Sequence, residues 1–251
     1  MAMFVLVPGH WLGGWAWEEV AAHLAAAGHG AHAVTLTGMA ERAGEASPDV
    51  DADTHIADVV AAIEDAVSAG GVDRVVLVGH SGANMAVTGA ADRVPGRVAR
   101  VVYVDSGPMP SGMAAIEFRS PEERAELLEQ VERDGGGWLI PVPPFDPAAD
   151  PEMLAGIPGR RLAEMRERGT PQPVGTVTQP VKRPDPAPDV PRALVCSTIP
   201  LAAVLEMAEA SHPVFKGMAG PDWTYRELPT GHWPMFSRPA DLAAILAGLA
   251  G

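Results

Sequence analysis

The chain has 251 residues, of which 47% are apolar and 20% are charged. These fractions are typical of a globular protein with a sizeable core, and they exclude an intrinsically disordered chain. Asp and Glu outnumber Lys and Arg by 32 to 18, so the formal net charge is −14. Because nucleic acids and anionic membranes bind basic surfaces, this charge argues against both as partners.

The only cysteine, Cys196, has no second thiol in the chain with which to form a disulfide. Cys and His residues do not cluster at the spacing of a zinc site, so we expect no metal. Apolar runs stay shorter than the about 18 residues of a transmembrane helix. The first residues lack the basic start and cleavage site of a secretory signal, which favours the cytoplasm. The oligomeric state is not indicated.

The first hundred residues alternate short apolar runs with amphipathic stretches. The apolar runs are continuous, which is typical of parallel strands that helices bury on both faces. Thr54 stands where the N-cap of the second helix is expected. We predict strands over 4–7, 31–36, 74–79 and 100–105, and helices over 14–27, 54–69 and 83–93.

This alternation stops between about residues 107 and 190, where proline is frequent. We interpret 107–190 as an inserted cap, and 1–106 with 191–251 as the core. Two helices are predicted in the cap, over 121–134 and 151–168. In the last part of the chain we predict strands over 193–196 and 223–228 and helices over 201–211 and 239–249.

The most informative segment is Gly79-His-Ser81-Gly-Ala83, which follows an apolar strand and precedes a helix. Strand, Gly-x-Ser-x-small and helix together form a nucleophile elbow, in which a tight turn exposes the Ser hydroxyl at the edge of the sheet. Small residues at Gly79 and Ala83 let strand and helix cross closely. The alternative is an ordinary turn, but the context favours Ser81 as a nucleophile.

A serine nucleophile needs a base. Thr230-Gly-His232 lies between the last predicted strand and the last predicted helix, where the histidine of a Ser, acid, His order belongs. An imidazole there can accept the Ser81 proton and return it to a leaving group. A solvated loop histidine is the alternative.

Backbone amides at two turns are candidates for holding an oxyanion. The Gly82 N–H opens the helix after Ser81, and the His10 N–H lies in the turn after the first strand, where Gly9 allows close approach. The side chain of His10 either faces solvent or lines the pocket.

These segments resemble the α/β-hydrolase superfamily, and within it the small esterase branch of bacterial esterases, plant methylesterases and hydroxynitrile lyases. The resemblance implies an α/β-hydrolase fold, a mainly parallel sheet flanked by helices, and no cofactor. It covers nearly the whole chain outside the cap. The matching segments are 4–9, 13–17, 35–42, 53–59, 79–81, 91–95, 102–105, 225–228 and 230–232.

The triad acid is not where this fold usually carries it. The loop that follows strand 193–196 holds no carboxylate over 197–200. Asp105 ends the strand after the nucleophile helix, a position that in this fold also reaches the histidine, so we predict Asp105 as the acid that orients His232. Asp105 as a simple turn cap, Glu206 as the acid, and a Ser–His dyad without an acid are the alternatives.

Two departures from the relatives concern the pocket. Relatives carry an aromatic residue and two glycines after the serine, so the run from Gly82 to Asn84 is expected to open space beside the nucleophile and to bring the Asn84 amide near it. Hydroxynitrile lyases of this type carry Lys after the histidine; Trp233 replaces it here, which argues against cyanohydrin cleavage. We predict Trp11, Trp233 and Asn84 as substrate-binding residues.

The predicted function is a cofactor-independent serine hydrolase that cleaves a carboxylic ester, a methyl ester or a lactone, of a small apolar molecule through an acyl-enzyme. The first alternative is a lyase or cyclase of natural-product metabolism that uses Ser81 and His232 as acid–base groups. The second is a non-catalytic protein that binds a small ligand.

Overall fold

A computed structural model describes residues 1–212 and 215–250. Its main feature is a six-stranded sheet in which all neighbouring strands are parallel. The strands are β1 (Met3–Val7), β2 (Gly30–Ala33), β3 (Val75–His80), β4 (Val98–Val104), β7 (Arg192–Cys196) and β8 (Trp223–Glu227). Their order across the sheet is β2-β1-β3-β4-β7-β8. The predicted mainly parallel sheet is confirmed.

Helices cover both faces of the sheet. They are α1 (Glu18–Ala26), α2 (Ala52–Gly70), α3 (Asn84–Arg93), α4 (Pro121–Asp134), α5 (Gly159–Arg168), α6 (Gly175–Thr178), α7 (Leu201–Glu209), α8 (Pro234–Ser237) and α9 (Pro239–Gly248). Short 3₁₀ turns occupy Gly14–Trp17 and Ser81–Ala83, among others.

The core forms two apolar layers because successive side chains of a strand point to opposite faces. Phe4 and Leu6 of β1 pack in the layer with α1 and α9, and Val5 and Val7 pack in the layer with α2 and α3. All four side chains are fully buried. Continuous apolar runs are therefore the pattern that this sheet requires.

Two predicted boundaries near the start of the chain are wrong. Strand β2 ends at Ala33 and not at residue 36, because Thr35 turns away from the sheet and its hydroxyl accepts a hydrogen bond from the Gly14 N–H at 2.9 Å. Helix α2 begins at Ala52, two residues before Thr54. Its N-cap is Asp51, which accepts from the Thr54 N–H at 2.9 Å, so Thr54 lies at the third helical position.

Residues 107–190 add no strand to the six-stranded sheet within the described part of the chain. They contain α4, α5, α6 and a two-stranded antiparallel ribbon, β5 (Leu139–Ile140) with β6 (Gln172–Pro173). Helix α5 begins at Gly159 rather than at 151, because Pro158 is extended and Gly156 has a φ of +77°. The division into core and cap stays a prediction.

The topology brings the candidate site residues to one edge of the sheet, because the carboxyl ends of parallel strands lie on the same side. The segments that follow β1, β3, β4, β7 and β8 contain the residues singled out from the sequence. No helix within the two described ranges combines the length and the apolar character that crossing a membrane requires.

Candidate active site

Ser81 follows β3 at a strained turn. Its φ is +49°, a left-handed conformation that side chains other than glycine rarely adopt. The turn is possible because its neighbours lack side chains. A Cβ at Gly79 would lie 2.7 Å from Val87 of α3, and a Cβ at Gly9 would lie 3.1 Å from the Ser81 Cβ. The Ser81 hydroxyl is thereby presented at the carboxyl edge of the sheet.

His232 lies directly beside Ser81. The Ser81 Oγ and the His232 Nε2 are 2.7 Å apart, which is the distance for direct proton transfer. Two contacts fix the loop that carries this histidine. The His232 N–H donates to the Met153 carbonyl at 2.7 Å, and the His80 Nε2 donates to the His232 carbonyl at 2.6 Å. The imidazole is 14% exposed and lines the cavity.

Asp105 occupies the other side of the imidazole. The His232 Nδ1 donates to its Oδ2 at 2.6 Å. The carboxylate also accepts from the Ser197 N–H at 3.0 Å, the Thr198 N–H at 2.9 Å and the Thr198 hydroxyl at 2.7 Å. Glu206, the competing candidate, is exposed on α7. The loop after β7, which lacks a carboxylate, therefore provides hydrogen-bond donors to a carboxylate from β4.

The surroundings of Asp105 stabilise the ionised form of its carboxyl group. Burial acts to raise the pKa of Asp105, but the hydrogen bond and charge of His232 and the two hydrogen bonds from Thr198 outweigh it and lower the pKa to about 2. Asp105 is thus ionised at any working pH. An ionised acid fixes the imidazole tautomer with its proton on Nδ1 and leaves Nε2 free to accept from Ser81.

The turn after β1 lies against the elbow, and the roles of the His10 and Gly82 amides stay predictions. Trp11 in this turn has a φ of +66°. Its N–H donates to the Gln172 Oε1 at 3.3 Å, and the amide of buried Gln172 donates in turn to the Thr176 hydroxyl at 2.8 Å. A side chain from the inserted segment thereby holds the turn that carries the His10 N–H.

Part of the expected open space beside Ser81 is occupied by a side chain. A Cβ at Gly82 would lie 2.2 Å from the His10 Nε2 and 2.5 Å from its Cε1. The imidazole of His10 therefore occupies the volume that a larger residue at position 82 would fill. Of the two alternatives for this side chain, it lines the pocket.

A cavity of about 880 Å³ lies above Ser81 and His232. Its lining is mostly apolar, and three aromatic rings pack edge to face along one wall. Phe145 is the central ring, with centroids 6.3 Å from Trp11 and 5.6 Å from Trp233. The Trp233 ring also contacts the His232 imidazole at 4.9 Å. Trp11 and Trp233 thus line the cavity, while Phe145 was not singled out from the sequence.

Asn84 also lines the cavity, but its amide has protein partners. The Nδ2 donates to the Gly107 carbonyl at 3.2 Å, and the Oδ1 accepts from the Met85 N–H at 2.8 Å. These contacts tie the first turn of α3 to the chain that follows Asp105. Both polar ends of the side chain are therefore occupied by the protein itself.

Two histidines stay neutral beside this site: His80 is fully buried and His10 is half-buried. Burial lowers the pKa of His80 to about 3, and repulsion that a proton on His80 would meet from protonated His232 lowers it further. Loss of hydration also lowers the pKa of His10 to about 4, with smaller contributions from repulsion by Arg119 and by the protonated forms of His55 and His232. Burial thus keeps both imidazoles in their uncharged form at neutral pH.

From the low pKa values of His10 and His80 we predict that the folded protein loses stability in acid. An unfolded chain binds protons at histidine near pH ~6.5, and the folded protein excludes them from His10 and His80 until far lower pH. The free energy of unfolding should therefore fall as the pH is lowered from about 7 to about 5. Asp105 does not contribute in this window, since its stabilisation is complete above about pH 4.

Urea unfolding at a series of pH values measures this slope. Replacing His10 with phenylalanine should reduce the slope, because that site no longer takes up a proton on unfolding. A free energy of unfolding that stays constant over the window in the wild-type protein would contradict the prediction.

A sequence profile of the alpha/beta hydrolase family matches residues 4–245, nearly the whole chain. The chain belongs to the alpha/beta hydrolase family. This alpha/beta hydrolase is also similar in shape to an extracellular alpha/beta-hydrolase from a Paenibacillus species, described as sharing structural and functional homology with tobacco salicylic acid binding protein 2. The TM-score is 0.77 over 100% of this chain and 99% of the other, at 19% identity, which shows the common fold.

Two curated relatives are more similar in sequence to this alpha/beta hydrolase, over shorter segments. A carbendazim hydrolyzing esterase of Nocardioides sp. (strain SG-4G) is 44% identical over 106 residues, 42% of each chain. Methylesterase 7 of Arabidopsis thaliana is 36% identical over 103 residues, 40% of this chain and 38% of the relative. The alignments thus span about two fifths of the curated relatives' length.

Proposed function

We propose that this alpha/beta hydrolase is a cofactor-independent serine hydrolase that cleaves a carboxylic ester, a methyl ester or a lactone, of a small apolar molecule. The observation that carries the proposal is the continuous chain of hydrogen bonds from Ser81 through His232 to Asp105 at the base of the cavity. The names of the esterase and methylesterase relatives support the same reaction class.

The proposed mechanism assigns one role to each group. The Ser81 Oγ attacks the ester carbonyl while the His232 Nε2 takes its proton, and Asp105 stabilises the imidazolium that forms. The amides of His10 and Gly82 hold the oxyanion. His232 then protonates the departing alcohol, which leaves an acyl group on Ser81. Water, deprotonated by the same imidazole, hydrolyses this acyl-enzyme.

The cavity supports an apolar, uncharged substrate. Its wall of Trp11, Phe145 and Trp233 offers aromatic surface next to the reacting groups. Phe118 and Ile199, both partly exposed, extend this apolar character to the cavity rim. A net charge of −14 also disfavours the long-range attraction of anions. A neutral ester with an apolar body fits this environment.

A panel of methyl esters and lactones of small apolar acids tests the proposal. Mass spectrometry should find the free acid and alcohol, or the hydroxy acid from a lactone, with water added. Products formed without the addition of water would favour the lyase or cyclase. Tight binding without turnover of any ester would favour the ligand-binding protein. Either result would contradict the proposed hydrolase.

The loop after β7 provides a test of how the acid is held. Replacing Thr198 with valine removes the hydroxyl that donates to the Asp105 Oδ2 at 2.7 Å. We expect kcat to fall about tenfold, since a hydrogen bond to a charged group is lost while the backbone donor stays. Steady-state kinetics measure the change, and Thr198→Ser should restore most of the activity. Equal rates for Thr198→Val and the wild type would show that the hydroxyl does not position the acid.

A further inference from the structure

The imidazole nitrogens of His10 have no hydrogen-bond partner in the part of the chain that the structure describes. Across the described residues, 1–212 and 215–250, no hydrogen bond involves either ring nitrogen, and the ring contact is an edge-to-face one with Trp11 at 5.6 Å. The ring lines the cavity above Ser81. A hydrogen-bonding side chain is thus available to whatever molecule fills this cavity.

The position of the ring places it beside the reacting atoms. Its Nε2 lies 2.2 Å from where a Cβ of Gly82 would stand, and Gly82 directly follows Ser81. The absence of a side chain at position 82 is therefore required for the ring to lie where it does. The ring flanks the residue whose N–H is a proposed oxyanion donor.

The chemistry of this ring is that of a neutral imidazole. With a pKa of about 4, it carries one N–H donor and one acceptor nitrogen at neutral pH. Loss of hydration is the main cause of this low pKa, and repulsion from Arg119 and from the protonated forms of His55 and His232 adds to it. A neutral donor–acceptor pair recognises an uncharged oxygen or nitrogen atom better than it recognises an ion.

We propose that His10 is a specificity-determining residue whose imidazole hydrogen bonds to an oxygen or nitrogen atom of the acyl group, near the carbonyl carbon that Ser81 attacks. This inference rests on the proposed ester hydrolysis and names a substrate class within it. The leaving alcohol oxygen has to face His232 to receive its proton, which leaves the acyl group to contact His10. Esters with such a heteroatom should be preferred over esters of the same shape without it.

The physical reason is the loss of water from the ring. A substrate that fills the cavity displaces the solvent around His10, and a hydrocarbon acyl group gives the imidazole no replacement hydrogen bond. Sites built around a polar contact discriminate strongly against analogues that lack it. The mostly apolar lining of the cavity increases the difference between esters with and without the heteroatom, because it offers few other polar partners to the imidazole.

Two esters of equal length measure the preference: p-nitrophenyl methoxyacetate, with an ether oxygen, and p-nitrophenyl butyrate, with a methylene in its place. The readout is the ratio of kcat/KM for the two, compared between variants, so their intrinsic difference in reactivity cancels. We expect the ratio to fall about tenfold in His10→Phe and to be largely restored in His10→Gln, which keeps a donor and an acceptor. His23→Phe, an exposed histidine on α1, is the matched control and should keep the wild-type ratio.

The Gly82→Ala variant tests the role of the His10 ring independently. The added Cβ would collide with the imidazole, so the ratio should fall in the wild-type background and fall no further when His10 is already phenylalanine. His10→Leu replaces His10→Phe if the phenylalanine variant does not fold. An active wild type whose ratio is unchanged in the His10 variants and in Gly82→Ala would overturn this inference alone. A wild type that hydrolyses neither ester would overturn it together with the proposed function.

Discussion

Replacing Ser81 with alanine is expected to reduce ester hydrolysis by about five orders of magnitude. The proposed mechanism loses its nucleophile, and neither His232 nor the oxyanion donors can form an acyl-enzyme without it. The structural change is small, since one oxygen atom leaves a partly buried position. Circular dichroism should therefore show an unchanged fold and a similar melting temperature.

The matched control for this variant is Ser68→Ala, because Ser68 is exposed on α2. It should hydrolyse every ester at the wild-type rate. A Ser81→Ala protein that retains even a hundredth of the wild-type kcat/KM would show that the hydrolysis takes place elsewhere or without this hydroxyl.

Replacing Asp105 with asparagine is expected to lower kcat by about three to four orders of magnitude. An amide cannot stabilise the imidazolium, and its NH₂ group, directed at the His232 Nδ1, favours the tautomer with a proton on Nε2. In that tautomer Nε2 cannot accept from Ser81. The variant retains acceptor oxygen for the Ser197 and Thr198 N–H groups, so the loop after β7 should keep its path.

Glu206→Gln is the companion measurement for the acid. The two carboxylates were both candidates in the sequence, but Glu206 is exposed on α7 while the Asp105 side chain is 4% exposed and contacts His232. We expect wild-type rates from Glu206→Gln. A large loss in that variant, with a mild one in Asp105→Asn, would reverse the assignment of the acid.

Local sequence patterns were sufficient to predict the sheet, and they singled out Ser81 and His232, which the structure places 2.7 Å apart. Apolar runs such as 74–79 indicate strands that are buried on both faces. Gly79 and Ser81 indicate a nucleophile elbow, because the close packing of that turn tolerates few other residues. Asp105 was the harder inference, because the usual position for the acid holds none. In the structure the segment from Ser197 to Thr198 donates hydrogen bonds to the Asp105 carboxylate, which supports the choice of Asp105 as the acid.

The contacts that the sequence did not reveal depend on how distant segments cross. Gln172 holds the turn of Trp11 across 161 positions in the chain, and Met153 accepts from the His232 N–H. Nothing in the proline-rich surroundings of Gln172 indicates such a partner. The position of the His10 ring was open for the same reason, since it depends on the path of β1 relative to the elbow at Gly82.

The same dependence explains why the sequence did not reveal that a side chain occupies part of the space beside Ser81. Small residues after the serine suggest a gap when they are considered along the chain alone. In the structure a side chain from the turn after β1 fills the volume, so Gly82 and His10 act as a complementary pair. A large residue at one of these positions requires a small one at the other.

Labelling with a fluorophosphonate, followed by peptide mass mapping, tests most directly whether the Ser81 oxygen is an activated nucleophile. The wild-type protein should acquire one phosphonyl group, located on Ser81, and His232→Ala should react at least about a hundred times more slowly because no base removes the proton. Stable wild-type protein that is not labelled, or is labelled on another residue, or at the same rate with and without His232, would contradict the proposed catalytic triad.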